Sequence, residues 1–161
     1  MGLLTQTQQL LLYMLWADGV MLDAAREVSP EHLTRDAGVS FGSILGTLTH
    51  VLSSQRRWLA RFVGQQTLPP VPSFADLDGL VAGWGETASQ LEFFLASLTL
   101  EQLEAEITWV DTDGPVHTRP LWQPVAHMVN HATYHRGQVV SLLRQLGYQP
   151  PKTDLIHFFL K

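Results

Sequence analysis

Apolar residues recur at three- and four-residue spacing in four long stretches of the chain, and each stretch predicts one amphipathic helix. The first runs from Thr5 to about Ala25, with Leu11, Leu12, Leu15, Trp16, Met21 and Leu22 on one face. The second runs from about Phe41 to Val63, with Ser40 as its N-cap, Gly64 as its stop, and Ile44, Leu48, Val51, Leu52, Leu59 and Phe62 facing inward. The third is capped by Ser73 with Asp76 in its first turn, and its stripe is Leu77, Leu80, Val81, Trp84, Leu91, Phe94, Leu95 and Leu98. The fourth contains Pro120 and Pro124, so it must begin near Leu121, where first-turn amides have no intrahelical partner; it runs to Leu146 and stops at Gly147.

The connections are also legible. Ser29-Pro30-Glu31 reads as a cap with proline at the first helical position, predicting a short helical turn before a loop at Asp36 to Val39. Leu68 through Pro69, Pro70, Val71 and Pro72 cannot be helical, and so stiff a segment suits a long crossover between helices two and three. A second turn at Thr99 to Gln102 precedes β-type residues on both sides of Asp113-Gly114, which predicts a small exposed hairpin from Ile107 to Arg119. Beyond Pro150-Pro151, Leu155, Ile156, Phe158, Phe159 and Leu160 give the tail an apolar character that folds it back on the bundle. The expected fold is all-α, a four-helix bundle with that crossover and a β-hairpin before helix four, in one domain spanning 1–161.

Composition narrows the chemistry. The absence of cysteine excludes disulfides, thiolate ligands and a cysteine nucleophile, so a metal site must draw on His, Asp or Glu. A net charge of -5, from 15 acidic and 10 basic residues without a cationic run, disfavours nucleic acid as a partner. The apolar run from Leu10 is broken at Asp18, short of a membrane span, and the N-terminus lacks signal-peptide character, so the expected location is the cytoplasm with no membrane partner.

Seven histidines are present, and His127, His131 and His135 fall on one gently drifting stripe of helix four. A spacing of i, i+4 lets two imidazoles converge on a divalent ion, although helix-borne histidines can equally hydrogen-bond to a neighbouring helix and bind nothing. Ala132 stands where a zinc peptidase would carry its glutamate, which disfavours peptide hydrolysis by that route. His50 is the candidate on helix two, yet periodicity places it among Ser43, Thr47, Ser54 and Arg57, away from the apolar face, and predicts exposure. Such a polar stripe could also wall a cleft in which a metal keeps free positions.

Three separated stretches now carry a resemblance: YMLWAD at 13–18, SFGSILGTLTH at 40–50 and NHATYHRGQ at 130–138, flanked by RPLW at 119–122 and LGYQPPKTDL at 146–155. Together they closely resemble the DinB-like (DinB/YfiT) superfamily of metal-binding four-helix bundles. The resemblance implies a divalent ion, zinc or nickel, held by His50, His131 and His135, and a homodimer. It also implies either a thiol-dependent transferase or a related hydrolase or isomerase, acting on a small-molecule substrate with a low-molecular-weight thiol, or a non-catalytic, stress-related metal-binding protein. Asp18 becomes a candidate for orienting a ligand histidine, with a solvated helix face as the alternative, and His127 is left as a supporting or structural residue.

Gln138, three residues after His135, is placed to hydrogen-bond an imidazole or bound water. Arg136 points about 140° away from His131 and reads as a surface or interface ion pair. Gly83, Gly85 and Gly137 read as sites of close helix packing, and Trp58, Trp84, Trp109 and Trp122 as scattered core or interface anchors. The sequence assigns no catalytic residue.

Overall fold

The computed structural model describes residues 2–65, 67–111 and 114–161. In chain order its elements are α1 (Leu3–Arg26), α2 (Pro30–Thr34), α3 (Ile44–Phe62), α4 (Leu77–Ser97), α5 (Leu100–Glu104), β1 (Glu106–Val110), β2 (Val116–Pro120), α6 (Trp122–Gln145) and α7 (Leu155–Phe159). The four predicted long helices are thus α1, α3, α4 and α6.

α3 packs on α6 and α4, and α1 packs on the same two helices, which sets the four around a ring with α1 and α3 on one diagonal. Side-chain pairs give their directions. His50 lies beside His131 and Trp58 beside His127, so α3 and α6 are antiparallel. Arg56 pairs with Glu86 and Phe62 stacks on Phe94, so α3 and α4 are parallel. Tyr13 faces Thr133, and Ser29, just past α1, meets Tyr148, just past α6, so α1 and α6 are parallel. Two consecutive long helices that run the same way require a connection along the bundle, and the proline-rich segment from Leu68 to Pro72, which has no helix or strand, lies in that crossover.

In the core, Leu11, Met14, Ala17 and Met21 of α1 meet Leu48, Val51 and Leu52 of α3, Leu80, Trp84 and Leu91 of α4, and Val125, Met128, Ala132 and Val139 of α6; on α1 the predicted Leu11, Met21 and Leu22 are buried, Leu15 and Trp16 are half-buried, and Met14 and Ala17 join the face. Leu12 falls outside it and is exposed. In the tail Phe158 packs against Tyr13 and Trp16, as expected of a segment folding back, whereas Ile156, Phe159 and Leu160 remain exposed.

Two helix starts differ from expectation. α3 begins at Ile44, and its cap is Ser43 rather than Ser40: the Ser43 hydroxyl accepts from the Gly46 amide at 3.0 Å. Gly42, at φ +73, turns the chain immediately before this cap, and that left-handed conformation cannot lie inside a helix. α4 is capped by Asp76, whose carboxylate accepts from the Gly79 amide at 2.9 Å, so Ser73 lies outside the helix and Asp76 is not a first-turn acid. The turns at Ser29 and Thr99 form as expected, the latter as a full capping box with Gln102. β1 and β2 pair antiparallel from Glu106 opposite Pro120 to Val110 opposite Val116; Gly114 has φ +99, and Asp113, its predicted turn partner, lies outside the described residues. No described helix is long and apolar enough to cross a membrane.

Gly83 does serve close packing, since a Cβ there would stand 2.9 Å from the Phe74 ring. Gly85 and Gly137 do not: among the described residues nothing beyond their own helix lies within 4 Å of the Cβ position.

Candidate metal centre

α3 and α6 cross antiparallel at the level of His50, which brings that side chain to the two histidines one turn apart on α6. His50, His131 and His135 each offer a ring nitrogen, and these nitrogens all lie within 4.8 Å of one another. His50 Nε2 and His131 Nε2 stand 3.1 Å apart. Two nitrogens bound to one tetrahedral ion at 2.0–2.1 Å stand about 3.3 Å apart, so the spacing suits a shared divalent ion. His135 is buried and the other two are half-buried.

Electrostatics favours the neutral, lone-pair-bearing form that a metal needs. Burial and then the neighbouring His135 push His50 down from 6.5 to about 4. His131 is likewise pushed down to about 4, by burial first and then by His135, His50 and His127. His135 Nδ1–H donates to Gln138 Oε1 at 2.9 Å, which leaves Nε2 with its lone pair and fixes the ring's orientation.

His127 stands apart. It is exposed, its ring is 5.9 Å from that of His131, and it packs edge-on against Trp58, which in turn meets Trp109. Trp58 and Trp109 thus form one aromatic cluster flanking the triad rather than scattered anchors, a pairing that the hairpin creates by returning Trp109 to the end of α3.

Asp18 and Arg136 do not behave as the sequence suggested. Arg136 is buried, and its guanidinium donates to the Asp18 carboxylate at 2.8 Å, to the Tyr13 hydroxyl at 3.1 Å and to the Thr133 hydroxyl at 2.8 Å. Asp18 is equally buried; its other oxygen accepts from the Gln55 amide at 2.6 Å, and no ligand histidine bonds to it among the described residues. Burial raises the Asp18 carboxyl above its ordinary value, opposed by the Arg136 guanidinium and the Gln55 amide. The pair supports the site indirectly, by pinning α6, through the residue that follows His135, to α1 and α3.

Phe41, which sequence reasoning did not single out, stacks on His50 with ring centroids 3.7 Å apart and meets His135 edge-on at 5.3 Å. Its place in the 40–50 stretch, nine positions before His50, carried no periodic signal for that contact, because it belongs to a loop.

Comparison with known proteins agrees with this architecture. Residues 3–159 match the family model described as DinB family. The protein named DinB of Bacillus subtilis (strain 168) is 28% identical over 150 residues, which cover 88% of this chain and 87% of that protein. A DinB-like protein of Bacillus cereus ATCC 10987 superposes with a TM-score of 0.65 at 19% identity, covering 87% of this chain and 90% of that one. A DinB-like protein of Bacillus subtilis (YjoA) gives a TM-score of 0.68 at 18% identity, covering 91% and 98%. At these identities the two structures speak for the fold alone.

Proposed function

The chain belongs to the DinB family, and from that premise we propose that it binds one divalent ion, zinc or nickel, through His50, His131 and His135 and acts as a metal-dependent enzyme of the thiol-dependent transferase type. The observation that carries this reading is the convergence of three imidazole nitrogens within 4.8 Å from two different helices. A divalent ion there would stabilise the anionic form of a low-molecular-weight thiol at neutral pH, since three protein ligands leave a position open.

The chain's own residues prepare the site. His50 and His131 are held neutral, so protons compete weakly for their lone pairs. Gln138, by accepting from Nδ1–H, holds His135 in the tautomer that keeps Nε2 free to bind. With no cysteine in the chain, a sulfur nucleophile must come from outside. The same reading places the protein in the cytoplasm as a homodimer acting on a small molecule, and sedimentation velocity tests the dimer.

A second reading is a non-catalytic, stress-related protein in which the ion is structural. It is favoured by the distribution of the triad over α3 and α6, because an ion held there ties two helices together.

Elemental analysis of untagged wild type beside His135→Ala tests the premise common to both. About one zinc or nickel per chain, lost in the variant, is the expected result, and no uptake even after incubation with divalent ions would overturn it. Thiol-transfer turnover that disappears on chelation then separates the enzyme from the structural reading.

A further inference from the structure

The contact between Phe41 and the triad is built by its surroundings. The loop between α2 and α3 turns through Gly38 at φ +66 and Gly42 at φ +73 on either side of Phe41, conformations that favour glycine. The loop closes on itself, with the Ala37 amide donating to the Gly42 carbonyl at 2.7 Å and the Gly42 amide to the Val39 carbonyl at 2.8 Å. Beneath it, a Cβ on Gly46 would fall 2.0 Å from the Phe41 carbonyl oxygen. That neighbour is backbone, so any larger residue at position 46 forces the loop away from α3. A glycine inside a helix is ordinarily less favourable than alanine; at Gly46 it permits the close approach which lays the Phe41 ring on His50.

The ring lies 14° from parallel to His50 and edge-on to His135, so it covers the His50–His135 edge of the triad, while His127 lies beside His131. We propose that Phe41 is a specificity-determining wall of the metal site, which favours an exogenous metal ligand whose donor atom is borne on an aromatic or apolar group. The proposal rests on the metal-binding reading above and adds to it the class of molecule that fills the open position. A ligand that shares an ion with His50 and His135 comes to rest beside the Phe41 ring. There an aromatic substituent gains an offset or edge-to-face contact, whereas a polar substituent loses water without replacing its hydrogen bonds.

The test uses cobalt(II)-loaded full-length protein titrated with thiophenol and, separately, with 2-mercaptoethanol, followed by visible absorption. Wild type is expected to prefer thiophenol over 2-mercaptoethanol by roughly twofold to tenfold more than Phe41→Leu does, the range that an aromatic pair supplies. Phe41→Leu should keep about one cobalt per chain, and Phe41→Tyr should retain the preference. Gly46→Ala, which touches no ligand, should reduce the preference by displacing the loop.

A readout without metal accompanies this. In metal-free wild type the His50 ring protons should be shifted upfield in proton NMR by the stacked ring and should move back in Phe41→Leu. An unchanged thiophenol preference in cobalt-loaded Phe41→Leu overturns the proposal and leaves metal binding standing. So does loss of cobalt from that variant, which would make Phe41 a support for His50 rather than a wall, and so do His50 protons that do not respond. Failure of wild type to take up cobalt would instead remove the metal-binding reading, and the proposal with it.

Discussion

Arg136 donates to Asp18 at 2.8 Å across the seam between α6 and α1, with both side chains 2% exposed. Gln55 of α3 donates to the same carboxylate, so a single buried charge pair joins three of the four long helices one residue beyond His135. Asp18→Ala strands the guanidinium in the interior, and the expected loss of stability is about 3–5 kcal/mol. Replacing both partners, as Asp18→Leu with Arg136→Met, should cost far less because no lone charge is left. Urea denaturation at neutral pH checks both variants; a loss in Asp18→Ala no larger than that of an exposed pair, under ~1 kcal/mol, contradicts the account.

The two depressed histidines give the metal-free protein a defined pH response. In the unfolded chain His50 and His131 take up protons as pH falls through 6.5, while in the folded chain burial and neighbouring imidazoles hold them neutral down to about 4. The unfolded state therefore binds more protons throughout that window, and stability, complete above pH 6.5, declines as pH drops toward 4. Denaturation midpoints of chelator-treated protein at neutral and mildly acidic pH should show this, with a shallower decline in His131→Gln. A flat profile in the wild type would mean that the imidazoles are not desolvated as the structure has them.

The parts of this site that were legible in the sequence are those encoded by local periodicity. His131 and His135 share a helix face because four residues make roughly one turn, and Gln138 follows on the same side. His50 was not legible that way, since its stripe borders the α3 core face, and only α6 and the Phe41 loop together turn that border into a half-buried wall; the motif resemblance supplied it. Asp18 and Arg136 were misread because a charged residue on a helix is ordinarily solvated, and partners 118 positions apart leave no trace in one chain. Ser40 and Ser43 both satisfy the pattern of an N-cap, and the choice falls to Gly42, whose left-handed turn is a tertiary requirement.

Gln138 and His127 flank the triad but should respond differently to substitution. Gln138→Leu removes the acceptor that orients His135, so metal affinity is expected to fall by about 10- to 100-fold while stoichiometry at saturation stays the same. His127→Ala should leave both unchanged, because His127 is exposed and stands outside the three converging nitrogens. Competition with a chromophoric chelator measures the two affinities side by side. Loss of the ion in His127→Ala would replace one member of the ligand set.

An ion shared by α3 and α6 would bind the folded chain and have no preformed site in the unfolded one, so it would stabilise by mass action. At a free metal concentration of 100 times Kd the gain is about 2.7 kcal/mol. With roughly 2–4 °C per kcal/mol for a chain of this size, the melting temperature should rise by about 5–11 °C. Calorimetry with added zinc or nickel and then with excess chelator should show this rise and its reversal, and His135→Ala should show neither. The rise belongs to both functional readings, because it follows from where the three histidines sit. What distinguishes them is whether an added thiol is consumed by the same preparation: turnover lost on chelation supports the transferase, and a full thermal shift without turnover leaves an ion whose work is to hold two helices together.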